Sequence, residues 1–180
     1  MDANRQWLSP ARHLLSPNCD ERPDVNDISL IIIHGISLPP NQYGGPHIDQ
    51  LFTNSLNPDE HTYFAEIQAL RVSSHLLIDR KGLLTQYVPF DKRAWHAGKS
   101  IYEGRENCND FAIGIEFEGC DDEKYESCQY EIGATVVKLL LQSFPDLSRE
   151  SIVGHCDVAP GRKTDPGEAF DWDYFRKLIV

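Results

Sequence analysis

The feature that most constrains this 180-residue chain is a short unbroken apolar run, Leu30-Ile31-Ile32-Ile33, followed by His34. A strand that is apolar at every position has to be buried on both faces of its sheet. Covering both faces takes helices, and helical patterns occur elsewhere in the chain. The length suits one domain. We therefore expect an α/β fold, with residues 1–180 forming a single domain that has a mixed central β-sheet flanked by helices.

Further segments have the patterns of strands in the same sheet. Residues 75–78 and 83–88 are predicted to be two strands joined by a hairpin turn at residues 79–82. Residues 111–118 alternate, with apolar side chains on one face and acidic or small ones on the other. Residues 152–154 are predicted to be one more short strand.

Apolar side chains at helical spacing predict three helices, the first capped by Asp59 and the second stopped by Pro145. Their apolar faces consist of Tyr63, Phe64, Ile67 and Leu70; of Ile132, Val136, Val137, Leu140, Leu141 and Phe144; and of Phe170, Trp172, Phe175, Leu178 and Ile179. Residues 38–58 contain Pro and Gly pairs and are predicted to form a long loop. Residues 1–28 are predicted to form an irregular N-terminal arm.

The charge of the chain argues against several kinds of partner. The formal net charge is −11, whereas nucleic-acid and anionic-membrane binding need clustered Lys and Arg. No apolar run approaches the roughly 20 residues that cross a bilayer. The first residues also lack the apolar stretch of a secretory signal. We expect a cytoplasmic monomer that binds neither nucleic acid nor membrane.

The cysteines fit the same compartment. They are odd in number and lack CxxC pairs, which favours reduced thiols over disulfides or a structural zinc site. The five are Cys19, Cys108, Cys120, Cys128 and Cys156. Because Cys156 directly follows His155, a thiol nucleophile is an alternative mechanism. The alternative is weakened because neighbouring residues on a strand point to opposite faces.

Two predicted strands end in a histidine, and strand ends border the loops where sites are commonly built. His34 and His155 follow these strands, and Asp165 comes ten residues after the second. Two imidazoles and one carboxylate would leave a tetrahedral zinc with one open position, which is typical of catalytic zinc. The alternative for each histidine is a hydrogen-bonded structural role. His75 is assigned to packing or to support of the ligands, and His96 to a loop that lines the cleft or is simply a surface loop.

Glu116 is the candidate general base, because partial burial on the small-residue face of its strand would raise its pKa towards neutrality. Glu118 shares that face and is either its partner or a bystander. Lys163 lies two residues before Asp165, from where it can stabilise a developing oxyanion. The alternative for Glu116 is a solvated acid on an edge strand, and the alternative for Lys163 is an ordinary exposed lysine.

Several segments together resemble the AmpD family of 1,6-anhydro-N-acetylmuramyl-L-alanine amidases, which are related to the peptidoglycan recognition proteins. They are His34 after the Ile run, Ser74-His75-Leu76-Leu77-Ile78, Val88-Pro89-Phe90-Asp91-Lys92-Arg93-Ala94-Trp95-His96-Ala97-Gly98, Ile113-Gly114-Ile115-Glu116-Phe117-Glu118-Gly119 and residues 154–167. The resemblance implies that His34, His155 and Asp165 bind one zinc ion per chain, that Glu116 handles the proton and that Lys163 assists at the oxyanion. It also implies an anhydro-muropeptide substrate, cytoplasmic recycling of cell-wall fragments and, through fragment levels, an effect on β-lactamase induction.

The chain departs from the family pattern at two positions. Gly35 stands where Asn is expected, and Asn107 stands where a basic residue is expected. Four residues are candidates for substrate contacts: Arg71, Trp95, Arg105 and Arg162. The rival function is a module that binds muropeptides without cutting them. The complete set of ligands and the presence of Glu116 count against it.

Overall fold

The computed structural model describes residues 6–180, which contain ten strands. These are β1 (Arg12–His13), β2 (Cys19–Glu21), β3 (Leu30–Ile36), β4 (Leu76–Ile78), β5 (Leu84–Gln86), β6 (Lys92–Ala94), β7 (Ile101–Tyr102), β8 (Arg105–Glu106), β9 (Ala112–Glu118) and β10 (Ile152–Gly154). Six of them form one sheet in the order β1-β5-β4-β9-β3-β10. The pairs β4–β9, β9–β3 and β3–β10 are parallel, while β4 and β5 are antiparallel. The sheet is therefore mixed, as predicted.

Helices cover both faces of this sheet. They are α1 (His47–Phe52), α2 (Thr62–Ile67), α3 (Ser127–Ser143), α4 (His155–Val158) and α5 (Trp172–Ile179). Ile31 and Ile33 lie in the same core cluster as the buried side of α3 and α5, whereas Ile32 lies in a cluster on the opposite face. The helices α1 and α2 pack with Leu77 on that opposite face. The central strand is thus buried on both sides, and the predicted fold class is confirmed. No helix within residues 6–180 has both the length and the apolarity needed to span a membrane.

The central strand is longer than its apolar run. Pairing with β9 continues through Gly35 and Ile36, so His34 lies inside the strand and not at its end. His155, by contrast, directly follows β10 and is the first residue of α4. His34 is therefore held by the strand β3, and His155 by the start of α4, which follows the neighbouring strand β10.

Two predictions about the segment after the central strand are wrong in detail. The long loop predicted over residues 38–58 contains α1. The next helix is capped by His61 and not by Asp59, because the His61 Nδ1 accepts the backbone N–H of Tyr63 at 3.1 Å. Leu70 lies beyond the end of α2 and is 48% exposed.

The predicted N-terminal arm is more ordered than its sequence suggests, although residues 1–5 lie outside the described residues. β1 pairs with β5, and β2 pairs with β6. The buried guanidinium of Arg22 donates to the carbonyls of Phe90, Asn109 and Ala112 at 2.9, 3.2 and 2.8 Å. The arm therefore lies on the domain, as predicted, but it is less irregular than predicted.

The remaining predicted elements are confirmed within a few residues. β4 and β5 form the predicted hairpin, in which the N–H of Gly82 bonds the Asp79 carbonyl at 2.9 Å. The helix α3 ends at Ser143, two residues before Pro145. The last helix begins at Trp172, so Phe170 packs against it from the preceding turn.

Candidate active site

Strand register brings the first metal-ligand candidate and the candidate base together. His34 on β3 is the direct partner of Glu116 on the parallel strand β9. Paired residues of adjacent strands point to the same face. That face lies opposite α3 and α5, and both side chains are buried there, with 2% and 7% of their surface exposed.

The three predicted ligands converge at one point. The Nδ1 atoms of His34 and His155 are 3.0 Å apart, and the Asp165 Oδ2 lies 3.2 Å from the first and 3.0 Å from the second. A tetrahedral site with metal–ligand distances of about 2.0–2.1 Å has ligand separations of roughly 3.3 Å. The spacing of the three atoms therefore fits a metal ion, and this group could hold one.

The contacts on the far side of one ring support the same conclusion. The Nε2 of His155 lies 3.1 Å from the backbone carbonyl of Ala97. A carbonyl oxygen only accepts, so this contact suits the tautomer that metal binding through Nδ1 requires, in which Nε2 carries the single hydrogen of the ring. The Nδ1 lone pair of His155 is then free to coordinate a metal.

Burial and hydrogen bonding set the charges of this group. Burial lowers the pKa of His34 to about 4, although Asp165 opposes the shift. Burial also acts to raise the pKa of Asp165, but hydrogen bonds from His155 and His34 outweigh it, and this pKa lies well below the usual range. At neutral pH the pair therefore presents a neutral imidazole and a carboxylate, the protonation states in which these groups bind metal.

The third ligand is positioned by the residue that follows it. Pro166 packs against Gly35 and Gly154: Cβ atoms added there would be 3.4 Å from the Pro166 Cα and 3.0 Å from its Cδ. The Tyr125 hydroxyl donates to the Pro166 carbonyl at 2.8 Å. Gly35 and Gly154, which adjoin the predicted ligands His34 and His155, thus pack closely against the chain that carries Asp165.

A cavity of about 740 Å³ opens onto the three ligands and also contains Glu116 and Lys163. Among residues 6–180, none donates a hydrogen bond to the Glu116 carboxylate. Burial, and next the charge of Asp165, raises the pKa of Glu116 well above its usual value, while Lys163 acts in the opposite direction. A buried carboxylate without a donor, facing an open cavity, has the properties of a general base.

Glu118 has a different environment. It is 3% exposed, and its two carboxylate oxygens accept the backbone N–H groups of Gly44 at 2.6 Å and Arg80 at 3.1 Å. It does not line the cavity of the ligands. Glu118 therefore anchors the loops around it and does not face this cavity.

The four candidate substrate contacts separate in space. Trp95 lines the cavity, and its Nε1 donates to Asp20 at 3.2 Å. Arg71 bonds carbonyls of its own turn, Arg105 pairs with Asp27 at 2.5 Å, and Arg162 donates to the Ala97 carbonyl at 2.5 Å. None of these three arginines is among the lining residues of this cavity. Their contact with substrate stays a prediction.

The site also contains residues that sequence patterns did not assign to it. Tyr63, Ile67 and Leu70 were expected on one apolar face of a helix, but they are among the residues that line the cavity. The sequence signal for this location was their position in the segment that follows the long loop predicted over residues 38–58, since long loops often border sites. Cys156 lies in α4 and not on a strand, so the predicted opposite strand face is wrong, but Cys156 is not among the residues that line the cavity. All five cysteines are free thiols.

Comparison with known proteins agrees with this arrangement. Residues 24–168 match the family model described as N-acetylmuramoyl-L-alanine amidase. The chain is 56% identical over 173 residues to the 1,6-anhydro-N-acetylmuramyl-L-alanine amidase AmpD of Escherichia coli strain K12, covering 96% of this chain and 94% of the relative.

Solved structures show the same likeness. A crystal structure of a selenomethionine AmpD derivative superposes with a TM-score of 0.96 at 53% identity, covering 100% of both chains. AmpDh3 of Pseudomonas aeruginosa, solved in complex with anhydromuramic pentapeptide, has a TM-score of 0.62 at 25% identity, covering 100% of this chain and 66% of that one. The fold, the site and these similarities lead to one conclusion: this chain belongs to the N-acetylmuramoyl-L-alanine amidase family, within its AmpD group.

Proposed function

We propose that this chain is a zinc-dependent amidase that hydrolyses the bond between 1,6-anhydro-N-acetylmuramic acid and L-alanine in peptidoglycan fragments. The observation that carries the proposal is the convergence of two Nδ1 atoms and one carboxylate oxygen within 3.0–3.2 Å, beside the donor-free Glu116. A nitrogen and oxygen ligand set of this kind suits zinc. Relatives with the same fold act on anhydro-muropeptides or hold one in the crystal, as their names state.

His34, His155 and Asp165 would hold the zinc ion, one per chain. When bound, zinc supplies Lewis acidity, which lowers the pKa of a coordinated water to about 7 and polarises a carbonyl group. Glu116 removes a proton from the attacking water as the new C–O bond forms. It then delivers that proton to the alanine nitrogen as the C–N bond breaks. Lys163, on the rim of the same cavity, stabilises the negative charge on the former carbonyl oxygen.

The direct test combines metal analysis with product identification. Purified protein should contain about one zinc per chain, and mass spectrometry should show release of the intact peptide from an anhydro-muropeptide. Chelation should abolish the release, and added zinc should restore it. Full activity of metal-free protein would refute the zinc mechanism, and tight binding without release would support the binding-module alternative.

A matched variant tests the thiol alternative. Cys156→Ser should remain active because Cys156 lies outside the cavity lining. An inactive variant that is folded and zinc-loaded would favour the thiol mechanism instead.

We further propose that the enzyme is a cytoplasmic recycling enzyme and that it influences β-lactamase induction through the level of its substrate. The five free thiols support a cytoplasmic location, because thiols stay reduced in the cytosol. Deletion of the gene should raise the intracellular anhydro-muropeptide level. β-lactamase expression should rise with it only in cells that have the inducible circuit.

A further inference from the structure

His96 makes one side-chain hydrogen bond, and its partner is a metal ligand. The His96 Nδ1 lies 2.9 Å from the Nε2 of His34, and the two rings meet edge to face at 89°. The other nitrogen of His96, Nε2, is buried and has no hydrogen-bond partner among residues 6–180. The polar contact of this ring is therefore directed at His34.

The proton positions follow from coordination. If the Nδ1 of His34 binds a metal, its lone pair is used, and the single hydrogen of the neutral ring is on Nε2. That hydrogen points at the His96 Nδ1, which has to accept it. Hydrogen bonds of this type fix the orientation of a ligand ring and strengthen it as a ligand.

The His96 ring is itself held in place by the sheet. It lies in the space that a side chain at position 114 would occupy: a Cβ added to Gly114 would be 2.6 Å from the His96 Cγ. Gly114 is two residues from Glu116 on the same face of β9, and β9 is paired with β3. The absence of a side chain at Gly114 thus lets the ring reach His34.

The backbone beside His96 supports the second histidine in the same way. The N–H groups of His96 and Ala97 both donate to the Asn109 Oδ1, at 3.2 and 2.8 Å. This bond fixes the Ala97 carbonyl, which accepts from the His155 Nε2 at 3.1 Å. One loop therefore contacts the far nitrogen of both ligand rings.

We propose that His96 is a positioning residue for metal binding, which accepts the His34 Nε2–H and so keeps the His34 Nδ1 directed at the position shared with His155 and Asp165. The inference rests on the proposed metal site and goes beyond it, because His96 is itself no ligand. Its nearest ring nitrogen faces the far side of His34.

The test compares His96→Leu with His96→Asn. Leu and Asn have the same branched skeleton, but only Asn offers an oxygen acceptor near the position of Nδ1. Competition with a chromophoric chelator should show zinc affinity about 10–100-fold weaker in His96→Leu, the usual loss for a partner of a ligand, and mostly recovered in His96→Asn.

A second readout is independent of activity. In ¹⁵N-labelled, zinc-loaded wild type, NMR should show protected Nε2–H signals from His34 and from His155. His96→Leu should lose the His34 signal and keep the His155 signal, because the Ala97 carbonyl remains. Thermal unfolding of the metal-free variants serves as the control for folding. Should His96→Leu fail to fold, His96→Ala removes the acceptor without adding volume against Gly114 and carries the same expectation.

Unchanged zinc affinity in His96→Leu, or equal weakening in the Leu and Asn variants, would overturn the positioning role. An active, zinc-loaded wild type with that result would leave the proposed function intact. A wild type that holds no zinc would overturn both.

Discussion

At the scale of single residues, the site depends on the different surroundings of two acids on one strand face. Glu118 is held by two backbone N–H groups, while Glu116 has no donor among residues 6–180. Burial without donors raises the pKa of Glu116 and favours its protonated form. The same residue type is therefore tied to the backbone at one position and left without a donor, facing the cavity, two residues away.

Glu116→Gln separates the catalytic role of this residue from its effect on stability. Turnover should fall about 10²–10⁴-fold, the usual range for a general acid–base group, while zinc content is unchanged. At a pH above the raised pKa of Glu116, replacing this buried carboxylate by a neutral amide should raise the melting temperature of metal-free protein by roughly 2–4 °C for each kcal/mol gained. Steady-state kinetics, metal analysis and calorimetry check these outcomes. Normal turnover in Glu116→Gln would contradict the proposed role of Glu116, and Glu118 would then become the candidate base.

Lys163→Met should change the pH dependence as well as the rate. As a base, Glu116 works only when deprotonated, so activity rises with pH through its raised pKa. The charge of Lys163 lowers that pKa, and its removal should move the acidic limb of the profile to higher pH. Loss of the oxyanion contact should also lower turnover while zinc is retained. A profile of kcat/KM against pH for both proteins tests this, and a limb that stays in place or moves to lower pH would contradict it.

At the scale of elements, the site is assembled where the parallel strands β3 and β10 lead into loops. Side chains alternate along β3, so a side chain at position 35 would point away from the face of His34. It would overlap the hydroxyl of Tyr125, which lies in the core cluster below α3. Gly35 is not among the glycines with positive φ. Its departure from the family pattern is therefore explained by packing against Tyr125, and a lost substrate contact is not required. Asn107, the second departure, has a φ of 58°, which Asn tolerates better than most residues.

Gly35→Ala should accordingly destabilise the fold by about 1–3 kcal/mol, as overpacking does. It should also weaken zinc binding, because Tyr125 and Pro166 position Asp165. Adding Tyr125→Phe removes the overlapping hydroxyl and should restore part of both. Tyr125→Phe alone should cost only the hydrogen bond to Pro166, about 0.5–1.5 kcal/mol. Thermal unfolding and chelator competition measure the four proteins. A Gly35→Ala protein as stable as wild type, with a Gly35→Asn protein of lower KM, would instead favour a substrate contact at this position.

At the scale of the whole molecule, metal binding and folding should be coupled. The three predicted ligands come from β3, from α4 and from the loop after it, so an ion that bridges them would stabilise only the folded chain. Zinc at 100 times its dissociation constant should add about 2.7 kcal/mol to the free energy of unfolding. Wild type should therefore melt higher with zinc, and Asp165→Ala should show a much smaller shift. Differential scanning calorimetry with and without zinc tests the coupling. Equal shifts in both proteins would place the bound zinc elsewhere.

Much of this architecture is readable from local patterns in the chain. An all-apolar run is compatible only with a strand covered on both sides, and the alternating residues 111–118 fit one strand with a polar face. The hairpin at residues 79–82 and the end of α3 before Pro145 depend on turn chemistry that a few neighbouring residues determine. The ligand candidates are indicated by two histidines that follow apolar strand segments and by the Asp165 carboxylate ten residues after the second, a set typical of catalytic zinc, and the family resemblance implies the same residues.

Other features depend on residues that are far apart in the chain, and these were found only in the folded structure. The sequence does not state that His34 pairs with Glu116, since strand register follows from the packing of the whole sheet. Glu116 and Glu118 look alike in the sequence. They differ in the structure because two loops bring backbone N–H groups to Glu118. Arg22 ties the arm to the sheet through carbonyls about 70–90 residues away. The spacing of apolar residues predicts which face of an element is buried. The hydrogen-bond partners of a buried polar atom depend on how the elements are arranged in the fold. For that reason residue types and strands could be predicted here, whereas the contact between His96 and His34 required the folded molecule.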